Sequence, residues 1–300
     1  MEQLHKGCWL DLIAPTEDEI IEVAAATGFQ LDFLTAALDD DEKSRIEVED
    51  DQILVLGDIP ILRSNKDYEA IPLGISVNHD YIVTVCLEAN GVTAGFDDKN
   101  VRTWRTQHHT RFLYQLLFKA ATLYLKYIRI IVKRTDELER HLRISMENSE
   151  LFNLLDLQKS LTYFSTSLRS DNVVMERLSR IRATKVADAW LPTVEEDEDL
   201  LEDVIIEFKQ ATEMVEIYSH ILNSMMEVFA SIISNNLNLV MKFLASVTIM
   251  LAIPTLISGL WGMNVPVPFA DTPYGFAIVV GIAVIIGGGA GYLLWKKQMF

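Results

Sequence analysis

Only two cysteines, Cys8 and Cys86, occur in the 300 residues. They are too few for a disulfide framework, and each lies in an apolar, strand-like stretch that suits a buried reduced thiol. Catalytic signatures are missing too: there is no phosphate loop, no GxSxG and no HExxH. The six histidines are scattered, and the adjacent pair His108-His109 cannot share one face of a helix. The chain is therefore not expected to be an enzyme. Basic residues are scarce, with 26 Lys and Arg against 43 Asp and Glu, a formal charge of −17. That balance argues against a nucleic-acid partner, whose phosphates need a basic face. It favours cations, which carboxylates bind or concentrate nearby. The N-terminus, MEQLHKGCWLDL, lacks the apolar core of a signal peptide.

Charge is absent altogether from Phe243 to Leu260 and from Gly275 to Leu294. At 1.5 Å per residue each segment can cross a hydrocarbon core about 30 Å thick, the first with help from its flanks. From Leu237 onward the only charged side chains are Lys242, Lys296, Lys297 and Asp271, so residues 1–236 hold 23 basic and 42 acidic groups, a balance of −19. Residues 262–274 contain no Lys or Arg. By the positive-inside rule both termini are cytoplasmic, and the turn Gly262-Met263-Asn264 faces outward. The protein reads as a multi-pass integral membrane protein of an inner or plasma membrane.

The first part of the soluble body alternates strand and helix. Cys8–Ile13, Arg45–Val48, Gln52–Pro60, Ala70–Val77 and Tyr81–Leu87 read as strands. Thr16 and Glu19 form a capping box for a helix over 17–26; a second helical pattern covers 31–38, after the Gly28 stop. The stretch Asn78-His79-Asp80 reads as a hairpin turn. An α/β sandwich with a mixed sheet follows. From about Val101 the pattern is helical, with long helices over 110–145 and 150–186, broken near Glu147–Ser149. The second ends at Trp190-Leu191-Pro192, and the acidic run Glu195–Asp199 opens a third helix, where the macrodipole favours negative charge.

No proline occurs between Pro192 and Pro254, so one helix can run from about Leu200 to Trp261, roughly 90 Å. Along it Leu201, Val204, Phe208, Ala211, Val215, Tyr218, Leu222, Met225, Phe229 and Ile232 form a heptad seam, as in a stalk that needs neighbours. A second stripe, two residues out of phase, runs Glu227, Ser231, Ser234, Asn238, Met241, Ala245, Thr248, Ala252, Thr255, Gly259, Gly262. Small and polar, it fits either close helix packing in a bilayer or the wall of a pore. A pore would require a ring of copies. The second span carries a Gly287/Gly291 pair suited to close contact with the first.

The segment Trp261-Gly262-Met263-Asn264 follows a Pro-containing span and precedes a second span with a short Lys-bearing tail. Together with Trp9-Leu10-Asp11-Leu12, Pro15-Thr16 and Arg45-Ile46-Glu47-Val48-Glu49-Asp50-Asp51, it resembles the CorA-type two-span GMN divalent-cation transporters, over nearly the whole chain. The resemblance implies a CorA-like funnel: an α/β N-terminal cytoplasmic domain, a long-helix stalk and two C-terminal transmembrane helices. On that scheme 1–105 is the α/β subdomain, 106–192 the long helices, 193–236 the stalk and 237–261 the first span. The outer loop is 262–273, the second span 274–295 and the tail 296–300.

The same resemblance implies a homopentamer in membrane lipid that passes divalent metal ions, Mg²⁺ foremost, with Co²⁺ and Ni²⁺. Gly262, Met263 and Asn264 would then form the selectivity filter, with Asn264 facing a hydrated ion and Met263 buttressing the turn. Glu227, Asn238, Met241, Leu244, Ala245, Thr248, Ala252, Thr255 and Gly259 would line the pore. Asp203 matches a regulatory metal position between subunits, with Asp39–Glu42 as a candidate partner. The outer turn departs from the pattern of many Mg²⁺ members, since Val265-Pro266-Val267-Pro268 replaces Met-Pro-Glu-Leu and leaves Asp271 as the one acid there. A ZntB-like Zn²⁺ transporter is the alternative, and a non-conducting membrane-anchored sensor or scaffold the second.

Overall fold

A computed structural model describes residues 4–63, 67–96, 106–144, 148–184, 191–192, 194–269 and 272–297. The expected helix onset at Val101, the break at Glu147, the stop at Trp190 and the outer acid Asp271 lie outside these residues. The chain divides into two compact units, Met1–Ser224 and Met225–Phe300.

The first unit is built on a five-stranded mixed sheet in the order β1-β5-β4-β3-β2. Its strands are β1 (Trp9–Ile13), β2 (Arg45–Glu49), β3 (Gln52–Leu62), β4 (Tyr68–Val77) and β5 (Ile82–Cys86). Only β1 runs parallel to its neighbour, with Trp9 opposite Ile82 and Ile13 opposite Cys86. The alternation of strand side chains sorts the residues between two faces. Leu54, Leu56, Val83 and Val85 pack with Ile20, Val23, Phe33 and Leu34 of α1 (Glu17–Thr27) and α2 (Leu31–Thr35). Ile59, Leu73 and Ile75 turn to the other face, against Leu116, Leu117 and Ala120 of α3 (His109–Ile144). α4 (Asn148–Thr184) packs on the sheet as well.

Local signals set these elements. At α1 the Thr16 N–H donates to Glu19 Oε2 at 2.8 Å and the Glu19 N–H to Thr16 Oγ1 at 3.3 Å, both arms of the capping box. Gly28, at φ 77°, closes the helix in the left-handed conformation open to glycine. The 31–38 segment is not one helix: α2 stops at Thr35 and Ala36–Leu38 forms a 3₁₀ turn. Gly74 makes room for this turn, because a Cβ there would lie 3.1 Å from that of Ala37. At the hairpin, Asn78 Oδ1 accepts from the N–H groups of Asp80 and Tyr81 at 3.0 and 2.8 Å. Cys8 and Cys86 are both free, and burial pushes the Cys86 thiol upward, which keeps it an inert packing group.

α5 spans Glu195–Trp261, 67 residues, and opens on the acidic run where the sequence places its start. Its acidic first turn is held in place from two sides. Asp197 is 4 % exposed. Its Oδ2 accepts from the Val194 N–H at 3.1 Å, the backward arm of a capping box. Arg111 of α3 bonds Glu196 at 2.9 Å, and Arg182 of α4 bonds Glu198 at 2.9 Å. Leu201, Val204, Phe208, Ala211, Val215 and Leu222 of the expected seam are all buried. Asp197→Ala removes the cap bond and is expected to cost about 1 kcal/mol. A thermal melt of the full chain should then fall by about 2–4 °C; an unchanged melt would show that the cap is dispensable.

Candidate ion path and outer turn

In the second unit α5 runs beside α6 (Gly275–Lys296). Both helices contain a stretch long and apolar enough to cross a membrane, and little of that stretch in either is buried within the chain. Leu251 is 66 % exposed, Leu256 64 %, Phe276 74 % and Ile285 73 %. A water-soluble core helix hides such groups; a bare apolar surface of this extent calls for hydrocarbon or for neighbouring helices.

The α5–α6 contact is made through small residues. A Cβ on Gly291 would lie 2.8 Å from Met250 Cε, and one on Gly287 3.9 Å from Pro254 Cγ. Ser246 is fully buried, its hydroxyl turned back to the Lys242 carbonyl at 2.8 Å. Ser246, Met250 and Pro254 thus mark the face of α5 that α6 covers. At 100° per residue the stripe Asn238, Met241, Ala245, Thr248, Ala252, Thr255, Gly259 points about 170° away from it. Close packing against α6 is therefore not what this stripe is for. Each of those seven residues, and Glu227 ahead of them, is exposed in the chain. Leu244, 56 % exposed, sits at the edge of the stripe.

The stripe has a defined hydrogen-bond polarity. Thr248 Oγ1 donates to the Leu244 carbonyl at 2.8 Å, and Thr255 Oγ1 to the Leu251 carbonyl at 2.9 Å. With their protons given to the helix, the two hydroxyls present oxygen lone pairs to the open face. Lone pairs accept hydrogen bonds from the water shell of a cation, whose protons point outward.

Beyond Trp261 the chain turns by its own bonds. The Gly262 N–H returns to the Ser258 carbonyl at 2.9 Å, and the Trp261 indole N–H donates to the Pro268 carbonyl at 2.9 Å. Thr272 Oγ1 donates to the Phe269 carbonyl at 2.8 Å. Gly262, Met263 and Asn264 are left exposed between these ties. Met263 is 53 % exposed, and the indole of Trp261 bridges the turn, a role that no sequence pattern announces. Gly275 is a close-approach residue, since a Cβ there would stand 2.1 Å from the Phe269 carbonyl oxygen.

Asp203 is exposed on α5. Within one chain it is not drawn into a cluster with Asp39–Glu42: among the described residues no three His, Cys, Asp or Glu side chains are grouped to hold a metal. Asp39 Oδ1 caps the Asp41 N–H at 3.1 Å, and Glu42 pairs with Arg45. His109 is an ordinary structural residue, with Nδ1 2.9 Å from the Asn78 carbonyl and a pKa lowered by burial. The geometry of the turn yields a direct test. Gly275→Ala should push Phe269 away and open the 269–275 ties, seen as increased proteolysis of the outer turn in membranes. Equal protection of mutant and wild type would refute the close approach.

Comparison with known proteins accords with this architecture. Residues 5–297 match the family model of the CorA-like Mg²⁺ transporter protein. The cobalt/magnesium transport protein CorA of Methanocaldococcus jannaschii is 28 % identical over 288 residues, which cover 94 % of this chain and 88 % of the relative. The complete structure of the CorA magnesium transporter from that organism matches at a TM-score of 0.82 and 26 % identity, covering 95 % of this chain and 89 % of the other. The cytoplasmic domain of ZntB from Vibrio parahaemolyticus matches at 0.59 and 14 % identity, over 76 % of this chain and 86 % of that one, and shares the fold alone. The α/β domain, the long helix and the two apolar C-terminal helices are those of a divalent-cation transporter, and the chain belongs to the CorA-like Mg²⁺ transporter family.

Proposed function

We propose that this chain forms a homopentameric channel for Mg²⁺, open also to Co²⁺ and Ni²⁺, with both termini in the cytoplasm. The observation that carries the reading is the stripe from Asn238 to Gly259: polar and small, exposed, and on the face of α5 that α6 leaves free. A single such helix cannot enclose a lumen, whereas a ring of copies turns its stripe into a wall. Lys242 at one end and Lys296-Lys297 at the other end of the helix pair support the cytoplasmic assignment of both ends.

In this reading Glu227 gathers cations at the inner mouth and Asn264 receives the hydrated ion at the outer one. Mg²⁺ gives up water reluctantly, so neutral amide oxygens hold its shell without trapping it. Met241 and Leu244 supply an apolar constriction that gates by dewetting. Ala245, Thr248, Ala252, Thr255 and Gly259 line the path, with Gly262 and Met263 shaping the filter around Asn264. The 28 % identical relative, named for cobalt and magnesium, favours Mg²⁺ over the Zn²⁺ alternative, for which the likeness to ZntB offers fold alone.

Reconstituted protein should take up Mg²⁺ and Co²⁺ in preference to Zn²⁺, and Asn264→Ala should lower the flux by tenfold or more. Flux indifferent to Asn264 would remove the ring, and a Zn²⁺ preference would favour the alternative. A scaffold that conducts nothing would tolerate Ala252→Leu, while a pore should be blocked by it. The regulatory role of Asp203 is separable. If Mg²⁺ between subunits neutralises facing carboxylates and holds the ring closed, Asp203→Asn should raise the cytosolic Mg²⁺ needed to inhibit flux. An unchanged inhibition curve would take Asp203 out of the mechanism.

A further inference from the structure

The apolar seam along α4 contains Leu154, Leu161, Phe164, Leu168, Met175 and Leu178, all buried, and between Leu168 and Met175 stands Asp171, 1 % exposed. Its Oδ1 accepts the Asp58 backbone N–H of β3 at 2.9 Å. The approach is close: a Cβ on Gly57 would lie 3.2 Å from the same oxygen. Oδ2 is buried with no hydrogen-bond partner. It borders a void of about 10 Å³, lined also by Gly57, Asp58, Leu116, Met175 and Phe208. That volume holds one water at most and cannot admit a hydrated cation.

The groups around this carboxyl come from several neighbouring elements, and among the described residues none is basic. β3 contributes the carboxyl of Asp58, with Asp40 acting on it from farther out. α3 contributes the fully buried Tyr124. Ser167 on α4 lies beside Asp58 and Tyr124, Ser44 faces Asp171, and α5 presents the ring of Phe208. With neither a Lys nor an Arg beside it among the described residues, a proton is the available compensation.

We propose that Asp171, with the half-buried Asp58 beside it, is a buried acid latch whose proton fastens α4 to the sheet, so that the first unit of the chain senses alkaline pH. With the proton on Oδ2, Asp171 is neutral and its Oδ1 still takes the Asp58 N–H. Without it, a bare carboxylate stands in an apolar seam beside a second acid, and the joint between α4 and β3 loosens. Burial first, and the Asp58 charge second, hold Asp171 well above the usual carboxylate range; burial likewise raises Asp58. A raised folded value means that the stabilisation is complete below the unfolded value of about 3.9 and is lost as pH rises through the folded one.

The test uses the full-length chain. Wild type should show an infrared band of a protonated carboxyl at neutral pH that disappears on alkalinisation, in step with a falling melting temperature. Asp171→Asn, an uncharged isostere, should lack that band and melt with a flatter pH dependence. Asp58→Asn should move the transition to lower pH by relieving the facing charge. Absence of the band in neutral wild type, or equal pH slopes in wild type and Asp171→Asn, would overturn the latch. If Asp171→Asn does not fold, the wild-type band and the Asp58→Asn shift decide alone. The link to transport rests on the function proposed above and is read separately. Flux should bend at the pH of the wild-type melting transition and lose that bend in Asp171→Asn. A flat flux profile beside a titrating latch would remove the regulatory role, and loss of all flux in wild type would instead refute the transport reading.

Discussion

A backbone entering hydrocarbon has to carry its hydrogen bonds with it, because no water is there to replace them. α5 meets that demand by staying helical from Glu195 to Trp261, and most of the molecule follows from what its faces then do. With the backbone satisfied internally, side chains alone decide what the helix meets. In the first unit its heptad seam is buried against the α/β body, Phe208 packing near Tyr124 with ring centroids 6.4 Å apart. In the second unit one face takes the glycines of α6 and the opposite face stays open. Pro254 lacks the N–H for one internal bond, and it sits where Gly287 allows α6 to come close. The interruption of the ladder thus falls on the side of α5 that meets α6 rather than on the stripe.

The outer turn answers the same constraint where the helix ends. Terminal carbonyls near a bilayer surface still need donors, and the chain provides them locally: the Gly262 N–H for Ser258, the Trp261 indole for Pro268 and Thr272 for Phe269. These ties use backbone carbonyls, and Asn264 is exposed between them. In the proposed reading, the filter residue is positioned by its neighbours without being consumed by them.

The legible parts of the sequence were those fixed by local chemistry. Thr16 and Glu19 announced a helix start, Gly28 its end, and the absence of charge over 243–260 and 275–294 the two spans. The seam from Leu201 to Leu222 was readable because heptad spacing maps directly onto burial. What escaped needed three dimensions. Asp171 and Asp58 are 113 residues apart in sequence, and only the fold brings them together. A hint was present, since an acid at the seam spacing Leu161, Phe164, Leu168, Asp171, Met175 breaks an otherwise apolar row. The Trp261 bridge left no such hint, because an indole N–H finds its acceptor through turn geometry that residue types alone do not specify. The 3₁₀ turn at Ala36–Leu38 was hidden by alanines, which favour a regular helix locally but here yield to the fit against Gly74.

The distribution of acids connects these parts. Residues 1–236 carry a balance of −19, yet the acids are used in different ways. Glu196 and Glu198 meet arginines at a helix start, where the macrodipole adds to the pairing. Asp171 is buried beside Asp58, and burial raises the pKa of both. Asp203 and Glu227 are exposed on α5, and in the proposed reading they are the acids that act on a mobile ion. A charge in water attracts a cation at modest strength and lets it go, because solvent screens it. Buried carboxylates would bind harder and release slowly. The ion path proposed above is therefore served by an exposed acid, Glu227, at its approach and a neutral amide, Asn264, at its outer end.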